Sequence, residues 1–297
     1  MAIIPVLFVW LWSTGFIGAK FGLPYSEPFT FLLLRMLLTL MILGCIILFT
    51  RAEWPSSLSA AGHLAISGSL VHAAYLGGVF SAIDAGMAAG LSAVIVGLQP
   101  IMTTIFVKVF TGASFTRRQY SGLILGFVGI FCVVLGDRLL QNEDLTSGIS
   151  LKTLAFSLLA LFGISFGTFY QKKFCSKAPL LSGAFMQYVG AVSVFAVGAI
   201  SFETMQIEFS MQFIFALSWL IFGLSISAIL LLLFMIKNGE VERVASLFYL
   251  VAPVTTVEAY LLFDERFGPI TWLGIAFSVL GVYLFLSTPR GNRAFPA

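Results

Sequence analysis

Charged side chains are scarce in this chain. Asp, Glu, Lys and Arg make up 10% of its 297 residues, whereas soluble domains carry about 25%. With 59% of the residues hydrophobic, too little polar surface remains to coat a soluble globule of this size. The net charge of +3 comes without any cluster of Lys and Arg interleaved with aromatics, so nucleic acid is not an expected partner.

Cysteine is also rare, and the common catalytic motifs are missing. The three cysteines, Cys45, Cys132 and Cys175, form no CxxC pair, which argues against a disulfide framework and against a zinc site. The sequence has no GxxxxGK[ST] and no HExxH, so neither an ATP-driven motor nor a zinc protease of that type is encoded. We therefore expect no cofactor and no metal.

Long apolar runs dominate what is present. Crossing a bilayer takes about 20 apolar residues in a helix, and ten segments meet that test. They cover residues 3–22, 29–50, 62–83, 86–109, 118–136, 151–171, 179–201, 211–236, 241–263 and 267–288. The sequence thus predicts an all-α membrane protein with ten transmembrane helices.

The two halves of the chain carry one pattern at an offset of 152 or 153 residues. Seven positions recur in order: Ser13, Gly15, Lys20, Gly86, Pro100, Gly122 and Gly129 match Ser165, Gly167, Lys172, Gly239, Pro253, Gly274 and Gly281. Residues 1–137 and 151–297 are accordingly predicted to be two five-helix repeats joined by a loop at 138–150. Because five is odd, the repeats would cross the membrane in opposite directions, an arrangement typical of secondary transporters.

Loop charges orient the chain in the membrane. With a cytoplasmic N-terminus, ten Lys and Arg residues fall in cytoplasmic connections and four on the other side. The positive-inside rule therefore predicts that both termini are cytoplasmic.

The first span and the end of each repeat resemble a known family. The stretch 12–20 reads WSTGFIGAK and is followed by Pro24 and Arg35, while Pro253 and Glu265 lie near the end of the second repeat. This pattern is similar to that of the drug/metabolite transporter superfamily, and within it the EamA-type ten-helix exporters. Two matched positions differ between the halves: Gly112 stands where the second repeat has Glu265, and Gln187 where the first has Arg35.

The resemblance implies a fold and a function. Members have two inverted five-helix repeats around a central cavity, and they export small metabolites such as amino acids. By this resemblance the chain belongs in a bacterial inner membrane, where it binds a small-molecule substrate within the lipid bilayer.

Ionisable groups inside a membrane are costly, so they are candidate functional residues. Arg35 and Glu258 lie at similar depths, and Lys20 lies near the same end of its helix. Two interpretations of Glu258 stay open: a structural or gating ion pair with Arg35 or Lys20, or proton coupling and binding of a substrate amine. His72 either couples transport to protons or makes an interhelical hydrogen bond.

Other polar and aromatic side chains are candidates for the substrate site. Tyr75 follows His72 by three residues near mid-membrane, and Gln99 either contacts substrate or bonds a neighbouring helix. An aromatic-lined pocket for an apolar or cationic solute is a further hypothesis, against plain lipid or core packing. It would comprise Trp12, Ser13, Tyr170 and Tyr249.

Together these features predict a secondary transporter that works by alternating access, with protons as a candidate coupling ion. The alternatives are an intramembrane enzyme and a non-transporting receptor or scaffold. An enzyme needs more convergent acid–base groups than the spans hold, and a receptor needs longer soluble loops. Substrate identity, direction of transport and oligomeric state are left open by the sequence.

Overall fold

The computed structural model describes residues 3–111, 116–132, 149–176, 178–228, 231 and 241–287, and their regular elements are helices. The predicted loop at 138–150 falls outside this part of the chain except for its last two residues. In chain order the helices are α1 (Ile3–Gly22), α2 (Pro28–Thr50), α3 (Leu58–Asp84), α4 (Ala89–Val96 and Gln99–Thr111), α5 (Arg117–Phe131), α6 (Leu151–Phe174), α7 (Leu180–Phe202), α8 (Met211–Ala228), α9 (Val241–Phe263) and α10 (Pro269–Leu286).

Helix length and surface both suit a membrane. Within the described residues, seven helices are long and apolar enough to span one, and shorter apolar stretches occupy Leu250–Phe263 and Pro269–Phe285. Large apolar side chains cover the outside, with Phe49 89% and Phe202 83% exposed. A surface of this kind is a liability in water but is solvated by lipid tails.

Local sequence signals set the helix ends. Thr116 and Gln119 form a capping box at the start of α5, and Ser150 and Thr153 do the same for α6. Pro28 occupies the first turn of α2, where its missing N–H costs nothing. Because such signals are local, the predicted spans begin and end within four residues of the observed helices, apart from the ends predicted at 136 and 236, which lie outside the described residues.

Two helices contain wide π-helical turns. Residues Ser69–Ala74 are π-helical within α3, and Trp219–Ala228 within α8. The two segments start 150 residues apart, so they occupy corresponding places in the two halves of the chain. Single π-turns are frequent at functional sites, because they redirect side chains out of the ordinary helical register.

The helices pack in a reciprocal pattern. Helix α1 contacts α8 and α9, while α6 contacts α3 and α4; α2 packs against α7, and α5 against α10. Every one of these contacts joins one half of the chain to the other. A buried core between the halves contains Phe31, Phe80, Phe195 and Phe213.

Glycines permit the closest of these contacts. A Cβ on Gly190 of α7 would lie 2.0 Å from the carbonyl oxygen of Ala65 in α3, and one on Gly122 of α5 would lie 2.5 Å from that of Gly281 in α10. Gly122 and Gly281, which belong to the matched pattern, thus allow close backbone approach between α5 and α10.

The α3–α7 contact gives a stability prediction. Gly190→Ala should lower the free energy of unfolding by about 1–3 kcal/mol, because the new methyl group meets backbone that must move. Gly62→Ala is the matched control, since nothing lies within 4 Å of a Cβ there. Thermal unfolding of the purified proteins in detergent measures both, and equal melting temperatures would contradict the packing described here.

Candidate functional site

A cavity lies between helices of both halves, close to the middle of the bundle. The centres of water molecules can occupy a volume of about 80 Å³ in this cavity. One water needs roughly 10–15 Å³ by the same measure, so the cavity has room for more than one. Helices α1, α2, α3, α7 and α8 supply its walls. The residues that line it are Trp12, Gly15, Phe16, Arg35, Met36, Val71, His72, Tyr75, Leu76, Val79, Phe80, Tyr188, Leu224 and Ser225.

The π-helical turns place the polar groups of this central cavity. His72 belongs to the π-helical segment of α3, and Ser225 to that of α8. They enter the cavity from opposite halves of the chain. The wide turns therefore lie at the candidate site itself.

Arg35 is the charged group of the central cavity. Its side chain is 4% exposed, and its Nε and Nη2 atoms donate to the Ser225 hydroxyl at 3.3 and 3.1 Å. Within the described part of the chain no carboxylate lies within 4 Å of the guanidinium. Its positive charge is therefore buried, and its hydrogen-bond partner among the described residues is a neutral hydroxyl.

Aromatic rings flank this guanidinium. The His72 ring stacks on Tyr188, with centroids 4.6 Å apart and planes 16° apart, and the Gln187 side chain approaches His72. Tyr188 is 2% exposed. Sequence reasoning missed Tyr188 and Ser225, although a tyrosine next to Gln187, the counterpart of Arg35, was an available signal.

A smaller side cavity adjoins the central one and shares Trp12, Phe16 and Tyr75 with it. Gln99 lines this side cavity, and its Nε2 atom donates to the Thr168 hydroxyl of α6 at 3.2 Å. The two interpretations of Gln99 are therefore compatible, because one side chain both bonds a neighbouring helix and borders the open space.

The expected ion pairs of Glu258 are wrong. The Oε1 atom of Glu258 lies 2.8 Å from the Ser13 hydroxyl oxygen, Arg35 turns to Ser225, and Lys20 pairs with Glu265. Equal depth along the helices was a poor guide, because it leaves free which neighbouring helix a side chain faces. Helix α9 turns Glu258 towards α1, while α2 turns Arg35 towards α8.

The aromatic pocket proposed from the sequence is assembled only in part. Trp12 lines both cavities, whereas Ser13 is turned to Glu258. Tyr170 instead contacts the His63 ring nitrogen at 2.7 Å. His63 lies nine residues before His72 on α3, about 13 Å along the helix. Tyr170, which contacts His63, is therefore too far from the central cavity to line it. The Tyr249 side chain lies outside the described residues.

Three glutamates join the two halves at the end of the bundle where α1 ends and α2 begins. Glu265 pairs with Lys20 and accepts from the backbone N–H groups of Ala89 and Gly90 at 3.0 and 3.3 Å. These N–H groups open α4, so the carboxylate also meets the positive end of a helix dipole.

The other two glutamates act in the same way. Glu203 accepts from the N–H groups of Phe29 and Thr30, both at 2.7 Å, at the start of α2. Glu27 accepts from the N–H of Thr204 at 2.7 Å. We call Glu27, Glu203 and Glu265 with these contacts the carboxylate seal. The family pattern singles out Glu265, but two of its partners are the main-chain N–H groups of Ala89 and Gly90, which no side-chain pattern marks.

The sequence of the chain matches the model of a known transporter family. The model of the EamA-like transporter family matches residues 1–135 and 151–287. The chain belongs to the EamA-like transporter family. The resemblance to the drug/metabolite transporter superfamily is thereby confirmed, and the protein is an integral membrane protein of a transporter family.

Curated relatives span nearly the whole chain at low identity. A probable amino-acid metabolite efflux pump of Escherichia coli K12 is 26% identical, covering 98% of this chain and 96% of the relative. The uncharacterized inner membrane transporter YedA of the same organism is 23% identical, covering 97% and 90%. The WAT1-related protein At3g02690, chloroplastic, of Arabidopsis thaliana is 24% identical, covering 95% and 68%.

A solved crystal structure supports the same fold. It aligns with a TM-score of 0.63 at 16% identity and covers 95% of this chain and 96% of its own.

The carboxylate seal gives a second stability prediction. Glu265→Gln should lower the free energy of unfolding by about 1–3 kcal/mol, because it removes one ion pair and weakens two charge-assisted hydrogen bonds. Asp264→Asn is the matched control: this neighbour is 72% exposed and pairs only with Arg266 at the surface. Melting temperatures of the two variants in detergent make the comparison. If Asp264→Asn is as damaging as Glu265→Gln, the seal does not hold the halves together.

Proposed function

We infer that this protein is a secondary transporter that exports small carboxylate-bearing metabolites, such as amino acids, by alternating access. One observation carries the substrate class: Arg35 presents a buried positive charge to the central cavity, and among the described residues its hydrogen-bond partner is the Ser225 hydroxyl. The transporter family to which the chain belongs argues against the enzyme and receptor alternatives.

Several observations support an inverted-repeat architecture of ten spans. The family model matches two separate stretches of the chain, close to the proposed repeats at 1–137 and 151–297. The π-helical turns correspond between α3 and α8, and the packing of α1 on α8 mirrors that of α6 on α3. A pseudo-two-fold axis in the membrane plane would produce this reciprocity, and rocking of one repeat on the other would open the site to each side in turn.

The excess of positive charge in one set of loops supports cytoplasmic N- and C-termini. The carboxylate seal then lies at the outer surface, where it joins the repeats and separates the cavity from the outside. We propose that this conformer is closed outwards. An inner-membrane site fits the name of the relative YedA.

Charge balance supports a carboxylate as the ligand. A guanidinium presents five N–H donors in a planar fork, and a carboxylate can accept two of them at once. An isolated buried charge is costly, and an anionic group in the cavity would offset that cost. His72, Tyr75 and Tyr188 border the same space and would contact the rest of the solute, as would Trp12 from α1. Gln99 adds an amide from the side cavity. The relative's name, amino-acid metabolite efflux pump, agrees with this class of solute.

The test is counterflow into proteoliposomes with paired solutes. Vesicles are preloaded with an amino acid, and uptake of the labelled amino acid is compared with that of its decarboxylated amine. We expect saturable exchange of the amino acid and little exchange of the amine. Exchange of both at equal affinity would exclude recognition of the carboxylate.

Arg35→Gln should raise the apparent KM for the amino acid at least about thirtyfold, since losing a buried charged partner typically costs 2 kcal/mol or more. The matched control is Arg266→Gln, which alters an arginine that is 79% exposed. If Arg35→Gln does not elute as a single species in size-exclusion chromatography, Ser225→Ala is the second variant. It keeps the positive charge but removes the hydrogen-bond partner of the Arg35 guanidinium, so a changed KM is expected there too. Wild-type affinity in both variants would move the site elsewhere.

A further inference from the structure

A second polar group lies between α1 and α9, and the central cavity does not use it. Glu258 of α9 contacts Ser13 of α1, which is fully buried. The Oε2 atom of Glu258 is also buried and has no hydrogen-bond partner among the described residues. Neither residue lines the central or the side cavity.

The hydrogen bonds of Ser13 can be counted proton by proton. Its Oγ atom lies 2.8 Å from the carbonyl oxygen of Trp10 and 2.8 Å from Oε1 of Glu258. A serine hydroxyl carries one proton, and a carbonyl oxygen and a carboxylate can only accept. That single proton can point fully at only one of the two acceptors, and a proton on the carboxyl group would make both 2.8 Å contacts full hydrogen bonds.

With a protonated carboxyl group, the Glu258 O–H would donate to Ser13 Oγ across the 2.8 Å contact, and the Ser13 hydroxyl would keep its proton for the Trp10 carbonyl oxygen. The bare Oε2 atom agrees with this assignment, because a carbonyl oxygen of a neutral acid tolerates the lack of a partner far better than half of a carboxylate does.

Among the described residues no cationic side chain lies within 4 Å of Glu258 to offset a negative charge there. On α1 the charged residue is Lys20, which is engaged by Glu265, and the described part of α4 against α9 has no titratable residue near Ser13. Tyr283 is the titratable residue of α10. Helix α9 itself carries Tyr260, and Asp264 follows the end of that helix. Glu242 and Arg243 begin α9, about four turns away.

We propose that Glu258 and Ser13 form a proton-binding site that is occupied in this conformer and that couples transport to proton movement. The proposal rests on the proposed carrier function. Release is a simple ionisation: the O–H bond of the Glu258 acid breaks, the proton passes to water on the side to which the site opens, and the electron pair stays on the carboxylate. The Ser13 hydroxyl then turns from Trp10 to Glu258 and donates to the new carboxylate.

Helix α1 links this change in the hydrogen bonding of Ser13 to the substrate site. Trp12 and Gly15, on either side of Ser13, line the central cavity. One residue further on, the Thr14 hydroxyl accepts from the Trp219 indole N–H of α8 at 2.9 Å. The segment of α1 that senses the proton is therefore bonded to α9 on one side and to the π-helical turn of α8 on the other.

Infrared spectroscopy tests the bound proton without any transport assay. The wild-type protein in lipid at neutral pH should show the C=O stretching band of a protonated carboxylic acid, and this band should be lost in Glu258→Gln. The matched control Glu53→Gln removes an exposed carboxylate and should leave the band unchanged. A spectrum without that band, or a band that survives in Glu258→Gln, would overturn the assignment.

A dye-loaded proteoliposome assay tests the coupling. Amino-acid export should move protons in the wild type, and Glu258→Gln should abolish this proton flux while counterflow exchange persists. Glu53→Gln should retain both. Ser13→Ala should also suppress the proton flux, because the buried carboxylate would be left without a donor.

The possible failures are distinguishable. Robust exchange without proton flux in the wild type, or proton flux that survives in Glu258→Gln, would reject the coupling site and leave the carrier intact. A well-folded wild type that exchanges no solute would reject the carrier, and the infrared measurement would then still decide whether Glu258 holds a proton.

Discussion

Inside a bilayer every polar group must find its partner within the protein, since no water is available to replace one. This constraint accounts for most polar contacts described above. Thr168 satisfies Gln99, and Ser225 contacts Arg35. Arg35 and Glu258 are ionisable groups without an oppositely charged partner among the described residues, so they are the natural places to look for a transported solute and a transported proton.

The sequence predicted the helices well because their signals are local. The bounds of α9 match the predicted span at 241–263, and Thr116 and Ser150 mark helix starts in the printed sequence. Long-range pairing was predicted poorly. Lys20 pairs with Glu265 and not with Glu258. The prediction failed because it used depth in the membrane, which does not determine which side of a helix a residue faces. The π-helical turns escaped notice for a related reason: an apolar span reads alike whether each turn takes 3.6 residues or more.

The candidate site was likewise predicted only in part. Trp12, His72, Tyr75 and Gln99 border the cavities, as single polar or aromatic residues in apolar spans indicated. Tyr170 does not, since its helix carries it to His63 instead. Ser225 and Tyr188 came from the structure alone. Their importance lies in what they face, and a serine or a tyrosine in an apolar helix is too common to be chosen by type.

The carboxylate seal has a consequence for how such a protein can diverge. Its partner atoms at Ala89, Gly90 and Phe29 are main-chain N–H groups, which every residue except proline provides. The hydrogen bonds at these three positions therefore do not depend on the side chain there, provided that the glutamates stay and no proline appears. The outer end of the bundle is thus buffered against sequence drift, while selection remains free to reshape the cavity beneath it for a different solute.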